Sequence, residues 1–385
     1  MKFLHLSDLH LGKSIGEFDL YDDQKYILDQ ILGIIRDESV DAVLIAGDVY
    51  DRSVPSEEAI SLLDYFLCEL SRIPVRTFVI SGNHDSDERL NFGSGIFKAN
   101  NIFISAIYDG VLYRQTISDE YGDVDIYLLP FVKASQVKHF FPDDKIETYS
   151  DAVQAIFNHA EIDLRKRNIL VAHQFVMAVD KDPVLGGSEG TGTQNVGLVE
   201  KIGCDCFDAF DYVALGHIHS AQKVGREEIR YAGSPLKYSL SEVNNDKSVT
   251  VVTVKEKGDT DIRLIPLKPK RNMRHIKGPV NILLDKENID NQEDFIYVTL
   301  TDEDVIDNAM GIFQQVYPNT VKIDYENSHT KEIDQVDITQ IADNKSFDEL
   351  IAEFYRQIYG CDINEEEMKI MKQVAKEAGV INEAD

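Results

Sequence analysis

Short apolar runs punctuate the first part of the chain at Phe3 to Ser7, Ala42 to Gly47, Thr77 to Gly82, Ile126 to Pro130, Ile169 to Ala172 and Tyr212 to Gly216. Their length and β-branched content predict buried strands. Between the first two, Ile27, Leu28, Ile31, Leu32 and Ile35 recur at helical spacing. Between the next two, Ala59, Ile60, Leu63, Phe66, Leu67 and Leu70 do the same. This alternation predicts parallel strands joined by right-handed crossover helices, hence an α/β domain whose apolar stripes pack a core.

Further along, Ser248 to Val254 reads as another strand, and the pattern then changes. The segment LKPKRNMRHIK gathers Lys268, Lys270, Arg271, Arg274 and Lys277. It is followed by a strand (FIYVTLTD), a helix carrying Val305, Ile306, Ala309, Met310 and Phe313, and a strand (TVKIDYE). After an acidic stretch come two amphipathic helices. The first opens on a capping-box pair, Ser346 and Glu349, and carries Phe347, Leu350, Ile351, Phe354, Tyr355 and Ile358 up to Gly360. The second is capped by Asn364 with Glu367 and runs toward Ala378 with Met368, Met371, Val374 and Ala375. The expected organisation is 1–265 as the main domain, 266–343 as a small α/β domain behind a basic linker, and 344–385 as helices suited to docking a partner.

At 385 residues and 43% apolar content the chain can bury a sizeable core. Cys68, Cys204, Cys206 and Cys361 form no CxxC pair and no small disulfide framework, so reduced thiols and a cytoplasmic setting are expected. His5 and Asp8 interrupt the first apolar stretch before a signal-peptide core can form, and no run reaches membrane-spanning length. The formal net charge of −29 argues against a free-standing nucleic-acid binder, which would be basic. Clustered carboxylates attract divalent cations, however, and bound cations reverse the field that a phosphate meets.

The polar residues explain where such cations would go. In LHLSDLH, LIAGD, VISGNHD, LVAHQ and VALGHIH, oxygen and nitrogen donors always follow the apolar run, at the strand's C-terminal end. Open α/β sheets bind their ligands there, so these segments are expected to converge on one edge of a sheet. Asp8 and His10 alternate on an extended segment and can share an ion. Asp48 can bridge two ions, Asn83 offers an amide oxygen, and His173, His217 and His219 offer imidazoles. Oxygen and nitrogen donors without thiolate suit manganese, iron or zinc better than magnesium or calcium. Five of the ten histidines lie in these motifs; His5, His139, His159, His275 and His329 lack such context and are expected to be structural or exposed. No Ser/His/Asp or Cys/His arrangement stands out, and GSEGTG from Gly187 to Gly192 lacks the ending of a P-loop.

The order DLH, GDVYD, GNHD, AHQ, GHIH resembles the signature of calcineurin-like metallophosphoesterases over roughly the first 220 residues. Within that superfamily, DLHLGK, GDVYDRSVPS, SGNHDS and GHIHSAQKVG followed by YAGSPLKYSLSE resemble the SbcD-type nuclease subunits. The resemblance implies a β-sandwich flanked by helices, a small α/β capping domain over the active site, and C-terminal helices that dock an SbcC-like coiled-coil ATPase. It implies two divalent ions, with manganese expected: one held by Asp8, His10, Asp48 and His219, the other by Asp48, Asn83, His173 and His217. His84 would contact the scissile phosphate and assist the leaving oxygen, with Asp85 orienting its ring. Two ions about 3.5–4 Å apart clamp a phosphodiester and activate water. The implied activity is 3′–5′ double-strand exonuclease and single-strand endonuclease action on DNA ends and hairpins, by a homodimer; the alternative is hydrolysis of small phosphodiesters or phosphoproteins. Archaeal relatives carry a histidine three residues after the bridging aspartate, where this chain has Asp51, so its DNA-positioning role is not transferred. Arg52, Lys268, Lys270, Arg271 and Arg274 are the candidate DNA contacts.

Overall fold

The computed structural model describes residues 1–178, 181–187, 201–328, 347–359 and 362–377. These fall into two compact units, Met1–Met273 and Arg274–Asp385.

The first unit is built on two six-stranded sheets. One runs in the order Thr260–Pro266, Ser248–Val254, Lys2–Leu6, Ala42–Ala46, Arg76–Ile80, Ile102–Ser105; the other runs Gln222–Val224, Arg226–Tyr231, Tyr212–Gly216, Arg167–His173, Gly122–Leu129, Tyr113–Asp119. The expected parallel pairing holds for Lys2–Leu6 with Ala42–Ala46 and for Ala42–Ala46 with Arg76–Ile80. In the second sheet Arg167–His173 pairs in parallel with both Gly122–Leu129 and Tyr212–Gly216. Phe3, Leu44, Ala46, Phe78 and Val252 of the first sheet share one buried cluster with Ile126, Leu128, Ile169, Val171 and Ala214 of the second. The two inner faces therefore make a sandwich core, and the six runs read from sequence belong to two sheets rather than one.

His5 ties the layers together. Its Nε2–H donates to the Leu215 carbonyl (3.1 Å), and its Nδ1 accepts from the Tyr212 hydroxyl (2.9 Å). Burial pushes this imidazole down to about 3, so it stays neutral as a fixed polar link inside the core.

Helices Tyr21–Asp37 and Glu57–Ser71 bury the stripes that the sequence pattern picks out, with one exchange: Leu62 is buried while Ile60 is half exposed. The helix Tyr149–His159 covers the outer face of the second sheet, packing Val153, Ile156 and Phe157 in one cluster with Leu170, Ala172 and Val213. The strands Ile102–Ser105, Tyr113–Asp119, Gln222–Val224, Arg226–Tyr231 and Thr260–Pro266 are not apparent as apolar runs. They lie toward the sheet margins, and in Tyr113–Asp119 and Thr260–Pro266 the more and less exposed positions largely alternate, as in half-solvated strands, although the residue types do not mark it clearly.

The second unit holds a three-stranded sheet in the order Met273–Gly278, Phe295–Leu300, Thr320–Tyr325, with the last two parallel. Ile296, Val298, Leu300, Phe313 and Tyr317 form its core. The expected connecting helix is shorter than its pattern: it spans Ala309–Gln314 after Asn308 at φ 51°, and Val305 lies exposed before it. The two C-terminal helices span Phe347–Tyr359 and Glu365–Glu377. Asn364 and Glu367 form the reciprocal cap foreseen for the second, with Glu367 N–H donating to Asn364 Oδ1 (2.9 Å) and Asn364 N–H to Glu367 Oε2 (3.2 Å). Ser346, Gly360, Ala378 and most of the Gly187 to Gly192 segment lie outside the described residues.

Candidate metal centre

The C-terminal ends of Lys2–Leu6, Ala42–Ala46 and Arg76–Ile80 meet those of Arg167–His173 and Tyr212–Gly216. The donor-bearing loops thus converge from both layers of the sandwich, not along a single sheet edge. Main-chain N–H groups hold them: Asp8 N–H donates to Gly47 O (3.1 Å), His10 N–H to Asp48 O (3.0 Å), and His217 N–H to the Asp8 carboxylate at Oδ1 (2.9 Å). His84 N–H donates to Asp48 Oδ1 (2.9 Å).

Convergence requires unusual backbone. Asp8 (φ 54°), His10 (φ 43°), Asp48 (φ 48°) and His217 (φ 99°) all occupy the left-handed region, a strain that persists only where the surrounding structure enforces it. Glycine is required for close approach: a Cβ on Gly82 would collide with the Asp48 carboxylate, and one on Gly216 with the Ala46 carbonyl and the His173 ring.

Three donor groups result among the described residues: one is His10, Asp51 and His84, and the other two hold the expected ligands. Asp8, His10 and His219 bring ligand atoms within 4.8 Å of one another, as do Asp48, His173 and His217. Asp48 Oδ2 lies 3.3 Å from His173 Nε2 and 3.6 Å from His10 Nε2, so it stands between the clusters. Asn83 Oδ1 lies 3.0 Å from His173 Nε2 and 2.9 Å from His217 Nδ1. All seven residues expected to hold metal are therefore brought together.

The proton positions decide what this geometry can bind. His173 Nδ1 faces the Ala46 carbonyl at 2.8 Å, and a carbonyl only accepts, so Nδ1 carries the hydrogen. The neutral ring then turns the Nε2 lone pair toward the oxygens of Asn83 and Asp48. Acceptors aimed at acceptors across a buried space fit a cation, and the donor set is imidazole, carboxylate and amide without sulfur. Without one, burial opposes charge on His173 but the Asp48 carboxylate prevails and holds it up at about 9. Burial, with charged His173 beside it, pushes His217 down to about 3.

The residues expected to do chemistry separate. His84 sits beside the centre, its ring edge-to-face with His10 at 4.9 Å, and its Nδ1–H donates to the Asp51 main-chain oxygen (3.1 Å). Asp85 does not orient that ring. Its carboxylate accepts from the N–H groups of Gly82 (2.9 Å), Val49 (3.0 Å) and Tyr50 (2.8 Å), pinning the GNHD loop to the GDVYD loop. Burial and the Asp48 charge push Asp85 up to about 7 against these three donors.

The candidate DNA contacts also divide. Arg52 is exposed, with Nε 3.6 Å from Asp51 Oδ2. Arg271 is clamped on the buried Asp23 carboxylate through Nε (3.0 Å) and Nη2, and Lys270 pairs with Asp22 (3.1 Å). Arg274 pairs with Asp290 and Asp294 at 2.8 and 2.7 Å. The Lys268 main-chain N–H donates to Gln30 (2.9 Å). Lys270 and Arg271 thus lie on acidic residues of Tyr21–Asp37, and Arg274 on acidic residues of its own unit, so these three cations already have acidic partners.

Several residues around the centre were not foreseen. Asp51 accepts from Lys13 (2.7 Å) and lies 3.5 Å from His10 Nδ1. Gln24 donates to the His10 carbonyl (2.7 Å), and the Tyr238 hydroxyl donates to the Leu9 carbonyl. Gln24 stands beside an apolar helical stripe, a signal that could have been noticed; Tyr238 belongs to YAGSPLKYSLSE, a motif whose residues had no assigned role.

The model of the calcineurin-like phosphoesterase family matches residues 1–221. The chain belongs to that family. Residues 269–359 match a second family, the SbcD C-terminal domain, described as the type 5 capsule protein repressor C-terminal domain. The two together are consistent with an SbcD-type nuclease subunit. Among solved structures, a dimetal phosphatase from Danio rerio is similar at 12% identity, covering 69% of this chain and 95% of that one with a TM-score of 0.39. As a member of the calcineurin-like phosphoesterase family, the chain is a metal-dependent phosphoesterase. No helix among its described residues is long and apolar enough to cross a membrane.

Proposed function

We propose that this phosphoesterase is the DNA nuclease subunit of an SbcC–SbcD-type complex. The observation that carries the reading is the pairing of a complete phosphoesterase donor set with an SbcD-type C-terminal domain in one chain. In this reading Asp8, His10, Asp48 and His219 hold one ion, and Asp48, Asn83, His173 and His217 hold the other, with manganese the ion of choice. Two such ions, when bound, supply charge to clamp a phosphodiester and lower the pKa of water.

The chain's own residues do the rest. Asp48, buried between the clusters, provides the shared carboxylate. With its Nδ1–H engaged by Asp51 O, His84 takes up a second proton at Nε2 from solvent, and as imidazolium it would meet a phosphate oxygen and pass that Nε2 proton to the leaving oxygen, returning to the neutral ring. The substrates are DNA ends and hairpins, cleaved as a 3′–5′ double-strand exonuclease and a single-strand endonuclease in the cytoplasm.

Two protein partners belong to this reading. The helices Phe347–Tyr359 and Glu365–Glu377 dock an SbcC-like coiled-coil ATPase. A second copy of the chain covers the apolar surface where Ile60 and Phe92 line a cleft of about 540 Å³ with Tyr50, Leu63 and Phe97.

The test is incubation of the purified chain with manganese and an end-labelled hairpin oligonucleotide, with and without its ATPase partner. Cleavage at the hairpin that the ATPase stimulates supports the proposal. Two bound ions and turnover of a small phosphodiester, without cleavage of any DNA, would sink it.

A further inference from the structure

Glu242 and Lys247 form a buried ion pair that the mechanism above does not use. Such a pair gives little net stability, because the cost of removing two charges from water offsets their attraction. Its placement is more telling. His219 Nδ1 lies 3.5 Å from Glu242 Oε1, and Lys247 Nζ donates to the carbonyl oxygen of the same histidine at 3.0 Å. Lys247 also donates to Ser234 Oγ (2.8 Å), while Ser234 N–H donates to His219 O (3.2 Å). One residue is gripped at both its ring and its main chain.

The consequence is a choice of tautomer. A carboxylate facing Nδ1 favours the proton there, which leaves Nε2, 3.1 Å from His10 Nε2, as a lone pair. His173 reaches the same state through the neutral Ala46 carbonyl, a weaker influence on the ring's basicity.

We infer that Glu242, held by Lys247, is the positioning residue that makes His219 a metal ligand, and that segment 232–247 exists to deliver it. This rests on the dinuclear reading of the site. Glu242 touches neither substrate nor ion; it acts through the imidazole.

The experiment is calorimetric titration of manganese into the full chain, with thermal melting as the fold control. Glu242→Gln should keep the fold and bind one of the two ions about 10–100-fold more weakly, leaving the other unchanged. A second variant, Glu242→Leu with Lys247→Met, replaces the pair by apolar groups and should melt no lower than Glu242→Gln, yet still show the weakened ion. If the double variant regains both affinities, the pair is merely structural and the inference is overturned; equal binding by wild type and Glu242→Gln overturns it too. A wild-type chain that takes up no ion pair would instead refute the dinuclear reading itself, a separate result.

Discussion

His10 and His219 point their Nε2 atoms at each other across 3.1 Å within a pocket that also holds the Asp8 and Asp48 carboxylates. Two imidazole nitrogens at this distance must share a proton or a cation. Binding of manganese to the native but not the unfolded chain should therefore raise the melting temperature. At an ion concentration of 100 times Kd the stabilisation is about 2.7 kcal/mol per site, and chelation should reverse it. A melting temperature indifferent to manganese and to chelator would contradict the assigned donor set.

Roles within the centre separate by substitution. Asp48→Ala removes the carboxylate between the clusters, so it should abolish binding of both ions. His84→Ala should retain both ions and lose on the order of 10²–10⁴-fold in hydrolysis. Metal analysis alongside turnover distinguishes the two; loss of metal from the His84 variant would show that its role is misassigned.

Arg271 now reads as a strap rather than a DNA contact. Truncating it to alanine leaves Asp23, 1% exposed, without its guanidinium. The expected result is destabilisation by about 3 kcal/mol with no change in the salt dependence of DNA binding. A shallower salt slope with unchanged stability would restore the phosphate-contact reading.

Acid should weaken the first unit through Asp119. The Arg167 guanidinium beside it holds this carboxyl well below the usual range, against the opposing effect of burial. Because the folded value is depressed, the contribution is fully present above the unfolded value of about 3.9 and is lost as pH falls through the folded one. Asp119→Asn should thus cost about 1.5–3 kcal/mol at neutral pH, and the difference from wild type should shrink at the acid end of a denaturation series. A gap that stays constant down to the lowest accessible pH would argue against it.

Phe92 is 85% exposed beside the apolar cleft. If the proposed homodimer uses this surface, Phe92→Asp should sediment as a monomer while leaving the unfolding free energy of the chain within about 0.5 kcal/mol of wild type. An unchanged sedimentation profile would remove this surface from consideration.

The sequence by itself determined the strands that are buried on both faces, because continuous apolar runs have few other uses, and it marked the residues that the fold brings together as candidate donors, because His, Asp and Asn recur after those runs. It also specified the Asn364 cap, a local reciprocal bond within one turn. It left unmarked the half-exposed strands such as Tyr113–Asp119, whose alternation is weak. Only the tertiary structure decided that the donors meet from two sheets, that Asp85 serves main-chain amides instead of His84, and that Arg271 lies on Asp23. The reason is distance along the chain: Asp23 and Arg271 are 248 residues apart, and Glu242 reaches His219 only after the chain has turned back through Arg226–Tyr231. Periodicity and capping are properties of neighbours, whereas a side chain's partner is set by where the fold returns.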